Sequence, residues 1–357
     1  MRRIYVALAI LAIVALSLST YFFAFNTSKQ VLKIYCATSL LYPLEKVETD
    51  FEKANPNIDV QIEGHGTIQV IRHVTELNQQ IDLLLVADYS LIPRMMYTTT
   101  MPNSNEAFAD YYVRFATNRL VLAYTNQSKY ANEITSNNWY SILTRSDVKL
   151  GMANPQLDAI GYRALMVIQL AEDYYKQQSL FHDLITANFD PPISSIANGS
   201  DYTIFVPETQ VPKNDKLTLR ASEVDLIALL QTGYLDYSLI YLSNAKQYGF
   251  NYVELPDEIN MGAPQYQNNY ERVQVTYEHQ RFATISLDRT GETVYYGLTI
   301  PKNAPSPALA EEFIKFMLNG AGKTDFEASY HPVFNPSYTD NISALPSSLT
   351  SIVTKEP

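Results

Sequence analysis

The sequence predicts an α/β fold with a largely parallel sheet, and three observations carry that prediction. Short β-branched, apolar runs alternate with stretches whose apolar residues recur at helical spacing. Turn residues separate them, as at Asn55-Pro56, Gly64-His65-Gly66 and Gly233. With 357 residues, 46% hydrophobic and 18% charged, the chain has globular composition and enough length for two folded units.

Each element follows from local pattern. Val31–Ala37 is an apolar strand. Ser39 then caps a helix with Leu41, Leu44, Val47 and Phe51 on one face, stopped at Asn55-Pro56. Ile58–Glu63 alternates as a second strand, and Gly64-His65-Gly66-Thr67 turns into a helix with Val70, Ile71, Val74 and Leu77 on one side. Ile81–Ala87 is a third strand, Leu91–Tyr97 a short helix and Phe115–Tyr124 a further strand. The pattern restarts at Trp139–Leu143 and Lys149–Ala153, followed by a long helix from about Gly161 to Lys176. Residues 190–220 read as loops with a hairpin. Ser222 opens a helix, Asp225 completes a capping box, and Gly233 ends it. Leu235–Leu242 and Glu292–Pro301 are strands, Pro307–Leu318 is an amphipathic helix, and the tail after Pro332 reads as an irregular wrap.

Charge and cysteine count exclude several function classes. The chain has 26 Lys and Arg against 37 Asp and Glu, a net −11, with no basic block to neutralise phosphates, so nucleic acid is not a partner. One Cys allows neither an internal disulfide nor a Cys-rich zinc site. The charge is uneven, because residues 1–30 hold Arg2, Arg3 and Lys29 and no acid, leaving −14 on the rest. Arg2 and Arg3 precede the uncharged run Ile4–Phe25, long enough to span a bilayer. We read residues 1–30 as an uncleaved membrane anchor, with a cleaved signal as the alternative and the acidic body outside the cytoplasm.

Ser39, Thr67, Asp158 and Glu223 each fall at, or within about three residues of, the start of a helix that follows a strand. In open α/β sheets ligands bind beyond the carboxyl ends of strands, where free N–H groups and helix dipoles favour an anion. Ordinary capping explains Ser39 and Thr67 taken singly, and dipole complementation explains Asp158 and Glu223. Catalytic signatures are weak. His65, His73, His182, His279 and His331 are scattered without metal spacing, Cys36 reads as buried and inert, and the many Tyr residues read as packing.

Taken together, ordered blocks of the sequence resemble the archaeal tungstate/molybdate-binding proteins. The opening block runs from Leu32 to Leu40 and is followed by Gly66-Thr67, Arg72–Leu77, Ala87–Pro93 and Asn118–Tyr124. Later blocks are Asn154-Pro155, Gly161–Met166, Leu235–Tyr237, Ile240-Tyr241 and Tyr296–Asn303. Thr38 stands where the family has Gly, and Thr67 where it has Ser. The run Gln156–Ile160 is also less polar than the family's loop. The resemblance implies the type II periplasmic-binding-protein fold, two α/β lobes with a ligand cleft between them. Residues 31–115 and 288–357 would form the first lobe and 116–287 the second.

The resemblance further implies a non-enzymatic extracytoplasmic receptor that delivers tungstate or molybdate to an ABC transporter permease and its ATPase, with no cofactor. Asp158 and Glu223 would reach the metal of the oxyanion, and Ser39, Thr67 and Tyr241 would donate hydrogen bonds to its oxo groups. Alternatives are a receptor for another small, sulfate-like oxyanion, a solute-sensing ectodomain, or a hydrolase using Asp158 and Glu223 on a hard cation. The last lacks further ligands and a nucleophile.

Overall fold

The apolar alternation of the first hundred residues becomes three parallel strands, β1 (Gln30–Ala37) lying between β2 (Ile58–His65) and β3 (Leu83–Val86). The computed structural model describes residues 29–278 and 288–356. The helix Leu41–Ala54 buries Leu44, Val47 and Phe51, and Thr67–Thr75 buries Val70, Ile71 and Val74, as their spacing requires. Leu77 lies beyond that helix and is exposed, so it does not extend the apolar face. Ser39 does not cap the first helix: it sits inside a 3-10 turn, Thr38–Leu40, that leads into the helix.

The run read as one strand, Phe115–Tyr124, is two. β4 (Val113–Thr117) belongs to the first sheet and β5 (Leu120–Tyr124) to a second. Asn118 makes the break, its Oδ1 accepting from Arg119 N–H at 2.9 Å while its amide donates to Ser243 Oγ and Tyr296 Oη. Beyond β6 (Leu150–Ala153), the stretch read as loops with a hairpin contains β7 (Phe189–Asp190), β8 (Ser194–Asn198), β9 (Asp201–Val206), β10 (Val211–Pro212) and β11 (Leu217–Arg220). The hairpin is β8–β9, and β7 pairs with β10. With β12 (Tyr237–Tyr241) and β13 (Asn251–Glu254), the second sheet has the order β11-β6-β12-β5-β13.

β14 (Val273–Tyr277) and β15 (Asp288–Thr290) join β8 and β9 in a four-stranded sheet, after which β16 (Tyr295–Thr299) returns to the first. The tail is not an irregular wrap. β17 (Val333–Thr339) pairs antiparallel with β4, and β18 (Val353–Lys355) pairs with β17, giving the order β18-β17-β4-β16-β3-β1-β2. Pro336 falls inside a register shift of the β17–β4 pair, where its missing N–H breaks no ladder bond. Polar, Pro-containing sequence therefore hides a strand here. The Ile4–Phe25 run lies outside the described residues, and among the described residues no helix is long and apolar enough to cross a membrane.

Candidate functional site: a buried convergence of helix starts

Strand direction decides where the candidate residues meet. β1 and β2 run parallel and end at the turns carrying Ser39 and Thr67. In the second sheet β6, β11 and β12 are parallel to one another and lead to Asp158, Glu223 and Tyr241. All five residues thus sit at or just beyond carboxyl ends of strands, and all five are buried. The 3-10 turn bearing Ser39 packs against the helix Glu223–Gln231, so the two sheets meet at this point.

Asp158 stands at the N-cap of the helix Ala159–Tyr174. Its Oδ1 accepts from Thr67 N–H at 3.3 Å and its Oδ2 from Glu223 N–H at 3.2 Å. One carboxylate therefore joins the first turns of three helices, two from one sheet's layer and one from the other's. Burial pushes its pKa up to about 6, against the lowering effect of those N–H groups. Glu223 is fully buried. Its Oε1 accepts from Tyr241 N–H at 2.7 Å, while Oε2 has no partner. Burial holds this carboxyl well above the usual range, and the charge of Asp158 adds to the effect. The local fold places Glu223 firmly, because Ser222 N–H and Oγ both donate to Asp225 Oδ2 and Gly233 takes φ +71° just past the helix end.

The hydroxyls are arranged around these acids. Thr67 Oγ1 accepts from Ala87 N–H at 3.3 Å, and Ser39 Oγ accepts from Tyr296 Oη at 3.3 Å. Tyr241 Oη accepts from Arg163 Nη1 at 2.7 Å, which leaves its own proton free to be donated elsewhere. Thr38 Oγ1 is buried beside Ser39 without a partner. The Gly-to-Thr departure strains nothing, since Thr38 is not among the residues with positive φ.

Sequence reasoning assigned no role to the polar group that ties the sheets together. Arg163 is 1% exposed; its Nη1 donates to Ala87 O at 2.6 Å and its Nη2 lies 3.4 Å from Asp88 Oδ2. Tyr162 Oη also donates to Asp88. Burial alone would raise the Asp88 carboxyl; Arg163 and Tyr162 hold it below its ordinary value. Glu292 is pushed up to about 8, first by burial and then by the charge of Asp88. The signal was present: Arg163 and Tyr162 interrupt a helix whose residues 159–171 are otherwise almost wholly apolar and buried.

Other residues fall as their environment dictates. Cys36 is buried, and burial pushes its thiol far up, so it is unreactive. His331 is buried and neutral, His182 is exposed beside Asp183, and His279 lies outside the described residues. His65 and His73, however, are not scattered: they meet, with Glu63.

A family profile described as bacterial extracellular solute-binding protein matches residues 32–329. The chain belongs to that family. At 36% identity it resembles the molybdate/tungstate-binding protein of Pyrococcus abyssi, with 85% of this chain and 85% of that protein aligned. It is 36% identical to the protein of the same name from Thermococcus kodakarensis (87% and 85%). It is also 36% identical to a solute-binding protein of Methanococcus maripaludis (92% and 90%). Among solved structures it resembles the periplasmic molybdate-binding protein of Azotobacter vinelandii at a TM-score of 0.52 and 14% identity, covering 85% of this chain and 100% of that one. A substrate-binding protein of an Agrobacterium tumefaciens ABC transporter gives 0.54 at 13%, covering 94% and 88%. These structural likenesses establish a periplasmic-binding-protein-like α/β fold. The chain is thus an extracellular solute-binding protein related to molybdate/tungstate-binding proteins, a family of receptors rather than catalysts.

Proposed function

We propose that this receptor captures tungstate or molybdate in a cleft between the seven- and five-stranded sheets and hands it to a membrane permease driven by a cytoplasmic ATPase. Residues 31–115 and 288–357 form one lobe and 116–287 the other, with closure by hinge motion about the crossings near Asn118 and Val294. Residues 1–30 hold the receptor at the outer face of the membrane. Ser39, Thr67 and Tyr241 donate to the oxo groups; Asp158 and Glu223 reach the metal.

The observation that carries this reading is the pair of buried carboxyls at converging helix starts, one with an oxygen that no group among the described residues satisfies. An unsatisfied buried carboxylate oxygen is destabilising, so a ligand that engages it gains affinity. Sulfate and phosphate have saturated centres and would be repelled by the acids. Molybdenum(VI) and tungsten(VI) accept further oxygen ligands, and hard carboxylate oxygens suit them. Two carboxylates can therefore convert a tetrahedral oxyanion into a six-coordinate one, and selectivity against sulfate follows. The free proton of Tyr241 and the N–H groups of Thr67 and Glu223 supply donors once the acids turn toward the metal.

Isothermal titration of residues 31–357 with tungstate, molybdate and sulfate tests the proposal. The first two should bind tightly and sulfate should not. Asp158→Ala and Glu223→Ala should each weaken tungstate binding by more than roughly tenfold, about 1.4 kcal/mol. Unchanged tungstate affinity in both variants, or tighter binding of sulfate, would overturn it.

A further inference from the structure

Outside the oxyanion site, the fold gathers three metal-competent side chains that are far from obvious in the sequence. Glu63 and His65 lie two residues apart on β2, so they share one face of the strand. β2 is the edge of the seven-stranded sheet, with Tyr35 of β1 in register beside Glu63. His73 comes from the last turn of the helix Thr67–Thr75, which packs over that face. The His65 and His73 rings stand edge to face at 4.7 Å between centroids, and His73 also meets the Tyr35 ring at 6.0 Å. One ligand atom from each of Glu63, His65 and His73 lies within 4.8 Å of the others. His73 Nδ1 is buried without a hydrogen-bond partner, while Glu63 Oε1 and His65 Nε2 are 2.7 Å apart.

We infer that Glu63, His65 and His73 form a binding site for a divalent transition metal of the zinc class. Two imidazoles and one carboxylate suit Zn²⁺, Ni²⁺ or Cu²⁺ and do not suit Mg²⁺ or Ca²⁺, which take oxygen ligands. Three ligands leave a fourth position for water. Ligand atoms on a tetrahedral ion with bonds of about 2.0 Å stand roughly 3.3 Å apart, so modest side-chain rotation closes the triangle. The last turn of a helix also favours a cation. Lys33, whose ammonium lies 4.9 Å from the Tyr35 ring centre, is a nearby cation, and its flexible stem can swing away. Such an ion would clamp both sides of the Gly64-His65-Gly66-Thr67 turn.

The experiment is titration of the metal-free full-length chain with ZnCl₂, and separately with Co²⁺ followed by its visible absorption. One equivalent of Zn²⁺ should bind, Mg²⁺ should not compete, and Co²⁺ should give the intense bands of a tetrahedral site. His65→Ala, His73→Ala and Glu63→Gln should each weaken Zn²⁺ by more than about tenfold. Asp158→Ala should leave Zn²⁺ binding unchanged, which separates this site from the oxyanion site. Should His73→Ala lower the melting temperature of the metal-free chain, the partly exposed Glu63 and His65 variants carry the test. Absence of saturable Zn²⁺ binding, or binding retained in the His65 and Glu63 variants, would overturn the inference.

Discussion

Asp158 and Glu223 are acids in the first turns of helices, and on that ground alone either would merely complement a dipole. Their hydrogen bonds say more, since Asp158 also serves the N–H groups of two other helices, at Thr67 and Glu223. Glu292 shows the same dependence of a residue on its neighbours. Its carboxyl titrates near 8 in the folded chain against 4.5 ordinarily, so between those values the unfolded state has released a proton that the native state keeps. Stability from this group is full below pH 4.5 and is lost as pH rises toward 8. Glu292→Gln should remove that loss. Its melting temperature should exceed the wild type's by several degrees at pH 8, with the gap closing toward pH 4.5. Calorimetry across that range checks it, and a constant gap would refute the assignment.

Among the elements, the turn into the helix Thr67–Thr75 is tightly constrained. A Cβ on Gly66 would stand 2.4 Å from Leu157 O and 3.0 Å from Asp158 Cβ, both on the opposing sheet's layer. Ile68 N–H and Gln69 N–H also donate to Leu157 O, at 3.0 and 3.2 Å. Glycine is needed here because another segment's backbone approaches, not because φ is positive. Gly66→Ala should therefore hold the two sheets apart without unfolding either. Tungstate affinity should fall at least roughly tenfold while the urea midpoint moves little, since a packed backbone cannot yield as a side-chain tip can. Titration calorimetry and small-angle scattering would read the two effects, and wild-type affinity in this variant would contradict the close approach.

For the whole molecule, the Arg163–Asp88 pair is a buried ion pair between the two sheets' layers. Asp88 follows β3 of the first sheet, and Arg163 lies on the helix that follows β6 of the second. Arg163→Met strands a buried carboxylate and should destabilise the chain by about 3–5 kcal/mol, whereas adding Asp88→Asn should recover a substantial part. Chemical denaturation of the two single variants and the double variant measures this. Strict additivity would mean the pair does not couple the layers. The net charge of −11 bears on the same scale: the anionic ligand proposed above would enter against the global field, so its capture would depend on local N–H groups and hydroxyls.

Local sequence pattern is enough for the strand–helix alternation, the capping box at Ser222, the inertness of Cys36 and the positions of Ser39, Thr67, Asp158 and Glu223 at helix starts. These are short-range properties, set by apolar period and cap chemistry within a turn or two of the chain. Long-range packing sets which helix starts meet, divides Phe115–Tyr124 between two sheets at Asn118, and makes β17 and β18 of the polar tail. It alone brought Arg163 to Asp88 and His73 to His65 and Glu63. Those pairings span up to 75 residues or join a strand to the next element's far end. They depend on how one sheet packs against another and a helix against a sheet edge, which no local periodicity encodes.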